Sequence, residues 1–292
     1  MSINKNFLKP NPNALLCSLK LFSLIGYLTV SISAFADSPT IRASNNQIIL
    51  RTNSTKIDYA ESGNGLGGTN TAKLDTESGD VPGYAVLLSV MSDEDNNYFA
   101  AEYDKSDGQT TYTGAQQGGV FGSLVNTSTL DQTNFYFRLG KGFSSDIASG
   151  ESMGTLFFEV GNHKWERGLS GTTPPSLDIY SNDYIVFGGL GQYSPAGSKL
   201  VLSANAMWGV TFSSSIKTSN GDVGTRGNPP TTRCGFSADY EFIKQLHGSL
   251  SVDIVSFSYV ISSTYTAGAS QVFSPNNSSN YTTIKLGLGY AF

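Results

Sequence analysis

The sequence predicts an all-β fold: a closed antiparallel transmembrane β-barrel of about ten strands, with eight or twelve as the alternatives. Three observations carry this reading. Charged residues make up 14% of 292 positions, while aromatics reach 12% and glycine occupies 32; an ordinary soluble domain carries about 25% charge. Mean hydropathy is still slightly negative, which excludes a bundle of apolar helices. Beyond residue 36, short runs of alternating hydrophobicity recur between clusters of Gly, Ser, Asn, Asp and Pro. That period of two belongs to strands with one apolar and one polar face.

Two segments are expected: residues 1–36 as a cleaved signal peptide and 37–292 as the barrel. Lys5, Lys9 and Lys20 form a positive n-region, Leu21 to Phe35 an apolar h-region, and Ala34-Phe35-Ala36 a small-x-small cleavage site. The apolar stretch is shorter than the roughly 20 residues that span a bilayer as a helix. Cys17 follows Leu16 rather than a small residue, which argues against a lipoprotein anchor. After cleavage only Cys234 would remain, leaving no intramolecular disulfide and no cysteine pair for zinc, so Cys234 is expected to act as a small hydrophobe. The processed chain would keep 15 basic and 23 acidic residues, a formal charge of −8, and nucleic acid is not an expected partner of such a surface.

Ten strands follow in order. The first, near Gln47–Ala60, sets Ile57 and Tyr59 against Lys56 and Asp58. The second, Gly83–Ser92, aligns Tyr84, Val86, Leu88 and Val90. The third, Tyr98–Lys105, sets Phe99 and Tyr103 against Glu102 and Asp104. The fourth, Thr133–Phe143, sets Phe135, Phe137 and Leu139 against Asn134, Tyr136 and Arg138. The fifth, Met153–Trp165, sets Leu156, Phe158 and Val160 against Phe157 and Glu159. The sixth, Asp183–Tyr193, has no assignable facing. The seventh, Lys199–Ser213, puts Leu202, Trp208 and Phe212 on one face. The eighth, Arg233–Ile243, sets Phe236, Tyr240 and Phe242 against Asp239 and Glu241. The ninth, Ser249–Ser262, changes the parity of its apolar set, which predicts a bulge near Ser256. The tenth is Tyr281–Phe292.

Each run approaches the 9–11 residues, roughly, of a tilted membrane-crossing strand. Short connections (92–97, 144–152, 194–198, 244–248) alternate with long ones (62–82, 106–132, 166–182, 214–232, 263–280). Lipid offers no hydrogen-bond partner to an open edge, so such a sheet must close.

In the last strand Ile284, Leu286, Leu288, Tyr290 and Phe292 alternate with smaller or polar residues, and the chain ends on Phe292. This ending resembles the assembly signal of Gram-negative outer-membrane barrels. The resemblance implies export, insertion by the barrel-assembly machinery, and contact with outer-membrane lipid and lipopolysaccharide. It also implies tight periplasmic turns and long, surface-exposed extracellular loops. Tyr84, Tyr98, Tyr103, Phe143, Trp165, Tyr193, Trp208, Tyr240, Tyr290 and Phe292 suit interfacial girdles or lipid faces.

A narrow barrel fills its lumen with side chains. The expected inward set is Lys56, Asp58, Glu102, Asp104, Arg138, Glu159, Asp239, Glu241, Asp253 and Lys285, read as an internal network because charges removed from water need partners. A polar path for a small solute is the alternative. Strand count and loop asymmetry also resemble the omptin-type outer-membrane proteases, which implies paired aspartates and an Asp–His couple at the extracellular rim. Here His163, Asp104 and Asp107 are the only candidates, and no Asp-x-His couple exists in the chain. His247 falls in an expected periplasmic turn. No metal site, cofactor or Gly-x-Ser-x-Gly elbow is expected, and the glycine-rich stretch 63–68 reads as a loop. The first function class is therefore a non-enzymatic structural or interaction protein, with any extracellular ligand left open.

Overall fold

The computed structural model describes residues 39–63, 73–115, 120–169, 176–219, 223–225, 227–259, 262–267, 270–272 and 275–292. The expected signal segment, its cleavage site and residues 64–68 of the glycine-rich stretch lie outside the described residues.

A short helix, α1 (Pro39–Asn45), precedes the strands β1 (Gln47–Ser62), β2 (Lys73–Met91), β3 (Asn97–Gly114), β4 (Leu124–Ile147), β5 (Gly150–Leu169), β6 (Ser176–Pro195), β7 (Leu200–Thr218), β8 (Val223–Thr225), β9 (Pro230–Ile243), β10 (Leu246–Tyr259), β11 (Tyr265–Ala267), β12 (Ser270–Val272) and β13 (Asn276–Ala291). Ten of these, β1 to β7 with β9, β10 and β13, form one closed antiparallel sheet. The seam between first and last strands runs in unbroken register from Gln47 opposite Ala291 to Ser62 opposite Asn276. β8 pairs antiparallel with the end of β7, and β11 with β12 makes a separate two-stranded ribbon. Both chain ends of the barrel meet, Phe292 N–H donating to the Asn46 carbonyl at 3.1 Å, on the side that carries the short turns.

An apolar belt circles the outside near the short-turn end. Leu50, Leu88, Leu139, Phe158, Phe187, Trp208, Phe236, Leu250 and Leu286 are all exposed there, as a lipid-facing band requires. The strands run well past it. β4 has 24 residues, about twice what crosses a bilayer. These extensions are rich in Ser, Thr and Asn, so neither face shows apolar alternation, and the sequence reading takes them for loop.

Above the belt the outside is water, and the facing rule reverses. Lys56 and Asp58, expected inside, are exposed and paired with each other at 3.6 Å. Ile57 and Tyr59 take the interior instead. The parity change on β10 has the same origin. Ile254 faces out in the belt and Phe257 faces in above it, while the β10 register passes Ser256 without a shift. No bulge is present there. Trp165 and Tyr98, expected at interfaces, are inside as well, Trp165 at 1% exposure. The sixth strand, unassigned from sequence, turns Ile185 and Phe187 out and Tyr184 and Val186 in.

His247 also departs from its expected place. It belongs to β10 rather than a turn, and it is buried. The expected turn shrinks to Lys244 and Gln245 because Leu246 already pairs with Tyr290. Cys234 packs against Ala204 and Ala206.

Candidate functional site

The lumen is built in layers, starting from the short-turn end. α1 folds up into the barrel mouth and buries Ile41 completely. Asn45 exchanges two amide hydrogen bonds with Gln192 of β6, at 2.7 and 3.1 Å. Arg42 donates to the Ser92 carbonyl at 2.7 Å and to Asn96 Oδ1 at 2.9 Å, fastening the helix to the β2–β3 turn. Beside it, His247 Nδ1 lies 2.6 Å from Asp239 Oδ1, and Gln47 Nε2 donates to the other Asp239 oxygen at 3.1 Å.

The next layer is ionic. Arg51 donates to Glu102 at 2.8 Å. Lys285 also bonds Glu102 and reaches Asp104 at 3.0 Å and Asp253 at 3.9 Å. A second group centres on Glu159, held by Arg138 at 2.7 Å and Arg233 at 3.5 Å, with the Tyr184 hydroxyl donating at 3.1 Å. Arg138 also lies over the Phe157 ring at 4.1 Å. Four cations meet four carboxylates from seven strands, so the groups bridge strands that are not neighbours in the sheet. Buried charges persist only when paired in this way.

Above lies His163. Its Nδ1 is 2.6 Å from Asn134 Oδ1. An amide oxygen only accepts, which assigns the proton to Nδ1. The Asn134 amide then donates to Asp104 at 3.5 Å. The imidazole stacks on Phe257 at 4.8 Å and lies 5.2 Å from Tyr281.

The uppermost layer is an aromatic roof. Arg167 sits 5.3, 5.7 and 5.6 Å from the rings of Tyr59, Trp165 and Tyr180, and donates to Asp178 at 2.9 Å. Glu77 accepts from Thr110, and the Tyr59 hydroxyl donates to Glu61. Asp75 lies beyond the apolar belt, nine residues above Tyr84, and is itself buried. Burial first, and then the neighbouring Glu61 carboxylate, push its carboxyl up to about 8.

The expected interior residues thus divide. Glu102, Asp104, Arg138, Glu159, Asp253 and Lys285 meet in the ionic layer. Asp239 faces in lower down, and Glu241 reaches only the lower rim, where Lys199 pairs with it at 3.3 Å. Lys56 and Asp58 are outside. Of the three catalytic candidates, His163 and Asp104 are joined through Asn134. Asp107 is exposed on the outer face opposite Asp131 of β4, so it cannot join them. Sequence reasoning missed Arg51, Arg167 and Arg233, the roof aromatics and α1. Arg233 shares the parity of Asp239 and Glu241 in a run already identified as a strand, whereas Arg51 shares the parity of Ile57 and Tyr59, opposite the expected inward Lys56 and Asp58. Arg167 lies in a Gly-flanked stretch that gives no strand signal. Among the described residues no group of three or more His, Cys, Asp or Glu side chains is placed to hold a metal ion.

Closure, belt and filled lumen together define a ten-strand barrel of the Gram-negative outer-membrane type. The outer-membrane protease OmpT from Escherichia coli aligns over 85% of this chain and 98% of its own, with a TM-score of 0.54 and 10% sequence identity. The transport unit of the autotransporter AIDA-I from Escherichia coli aligns over 94% of this chain and 99% of its own, with a TM-score of 0.45 and 9% identity. No family model matches the chain, nor does any curated protein sequence. The likeness to OmpT is one of fold.

Proposed function

We propose that this chain is a non-enzymatic outer-membrane protein of the structural or interaction class: a sealed, rigid stalk that presents long connections to the cell exterior. One observation carries the reading. The strands continue far beyond the belt, and that extension is solid, filled by Arg167 among Tyr59, Trp165 and Tyr180. A filled extension conducts nothing. It is a support for what sits at its end.

In this reading residues 1–36 direct export, the β13 alternation serves the barrel-assembly machinery, and the short turns lie in the periplasm. The long connections then meet lipopolysaccharide or a ligand outside the cell. The mixed charges just above the belt, such as Lys105 with Asp131 at 2.9 Å, lie where phosphorylated lipid headgroups would be.

A hydrolase reading like that of the solved protease finds less support. His163 is oriented by an amide rather than a carboxylate and is covered by Phe257 and Tyr281. A general base must reach the proton it removes, and this ring is buried at 1% exposure. The test has two arms. Purified barrel in planar bilayers is expected to be silent, and protease treatment of intact cells is expected to cut within 260–275 or 115–123. Steady conductance, or loops protected in intact cells but cut from the periplasmic side, would overturn the proposal.

A further inference from the structure

Between α1 and the ionic layer lies a chamber of about 110 Å³. Its lining includes Gln47, Arg51, Asn205, Ser249 and Ser251. Each of these carries a buried polar atom with no protein partner: Gln47 Oε1, Arg51 Nε, Asn205 Oδ1 and the two serine hydroxyl oxygens. They come from β1, β7 and β10, so they surround the space rather than share one strand. Buried polar groups left unmatched are costly, and five around one cavity indicate an occupant.

The chemistry of that occupant follows from what is already matched. Each charged side chain on the wall already has a polar partner: Arg51 with Glu102, Arg138 and Arg233 with Glu159, Asp253 with Lys285, and Asp239 at hydrogen-bond distance from His247 and Gln47. What remains is neutral or a single N–H: two amide carbonyls that need donors, one guanidinium N–H that needs an acceptor, and two hydroxyls that do either. A charged ligand would compete with these existing pairings. A neutral one that both donates and accepts would match what remains.

We infer that this chamber is a binding site for a small neutral hydrogen-bonding solute of polyol or amide type, with water as its smallest member. The chamber is well above the roughly 10–15 Å³ of this measure that one water needs, which leaves room for several waters or one small polyol. On the short-turn side the chamber is bounded by α1. Ser44 and Asn45 of α1 form part of the wall there, and Glu102, Tyr136, Arg233 and Asp253 line both this chamber and the smaller cavity above it, forming the septum between them. α1 is therefore the lid.

The test places a thiol in the wall. Ser251→Cys is made in a Cys234→Ala barrel purified after signal removal, with Ser249→Cys as a second position in case the first misfolds. Gel mobility with and without heating checks folding. Methyl methanethiosulfonate, a small neutral reagent, is expected to react at least tenfold faster than its charged ethylammonium and ethylsulfonate analogues. Arg42→Ala, which loosens the lid, is expected to raise the neutral rate a further tenfold. Glycerol at molar concentration is expected to slow labelling several-fold, whereas an equal osmolality of sucrose, too large to enter, is not. No labelling by the neutral reagent even with Arg42→Ala, or equal rates for neutral and charged reagents, would overturn the site. A rate indifferent to glycerol would restrict the chamber to water and overturn the solute assignment.

Discussion

Arg138 places two donors on one oxygen of Glu159, Nε at 3.1 Å and Nη2 at 2.7 Å, while the second oxygen receives Tyr184 at 3.1 Å. Arg233 stands 3.5 Å from that second oxygen. One carboxylate therefore serves two guanidinium groups, and the two sides of this interaction are unequal.

Stability should show that inequality. Glu159→Gln strands two buried cations, whereas Arg138→Met leaves Glu159 still facing Arg233. Breaking a buried pair costs about 3–5 kcal/mol. Glu159→Gln is expected to lie at or above the top of that range and Arg138→Met below it, by urea unfolding of the purified barrel in lipid. The double variant Arg138→Met/Glu159→Gln should cost less than the sum of the singles, because neither charge of that pair is left behind. Additive effects would show that the ring is not a coupled unit.

The two tryptophans give a direct test of facing. Trp208 is 47% exposed within the belt and Trp165 is 1% exposed inside the barrel. In vesicles of bromine-labelled lipid, Trp165→Phe barrels are expected to lose most of their fluorescence to quenching. Trp208→Phe barrels should keep most of theirs. Equal quenching of both would place Trp165 on the lipid face and reverse the assignment of β5.

Those two residues also show how far the sequence could be read. Leu156, Phe158 and Trp208 lie where lipid bathes the outside, so alternation reports facing directly. Lys56, Asp58 and Trp165 lie above the belt, where water wets the outside and the same alternation means its opposite. Strand identity, closure and the ionic core Glu102–Asp104–Arg138–Glu159–Lys285 were legible because they fall within the belt. The roof and α1 were not. A seven-residue helix is too short to show a period, and Arg167 sits in a strand extension of mixed polarity.

Asp75 makes stability depend on pH. Its carboxyl is held protonated up to about 8, against about 3.9 in an unfolded chain. Between those values the folded state binds the extra proton, so stability falls as pH rises from about 4 to 8 and levels off beyond. Glu61, Glu77, Tyr112 and Arg167 face the same group, so the titration belongs to the cluster rather than to one residue. Asp75→Asn is expected to flatten that decline and to be the more stable form at pH 8.5. Parallel unfolding midpoints for the two proteins from pH 5 to pH 8.5 would contradict this.

The lid can be loosened without touching the barrel. Asn96 has φ = +53°, a left-handed conformation that asparagine and glycine adopt readily and alanine does not. Its side-chain oxygen also accepts from Arg42 at 2.9 Å. The two roles separate by substitution. Asn96→Gly keeps the turn and removes only the acceptor, while Asn96→Ala loses both. A hydrogen bond to a charged group is worth about 1.5–3 kcal/mol, which corresponds to roughly a 10- to 150-fold change in an opening equilibrium. Asn96→Gly is therefore expected to raise hydrogen exchange across 39–45 by about that factor and leave β2 and β3 unchanged. Asn96→Ala should do the same and also lower the unfolding midpoint of the whole barrel. If Asn96→Gly left exchange in α1 at its original rate, the Arg42–Asn96 bond would not be what holds the helix in the mouth, and α1 would be retained by Arg42 on the Ser92 carbonyl, by Ile41 and by the Asn45–Gln192 pair.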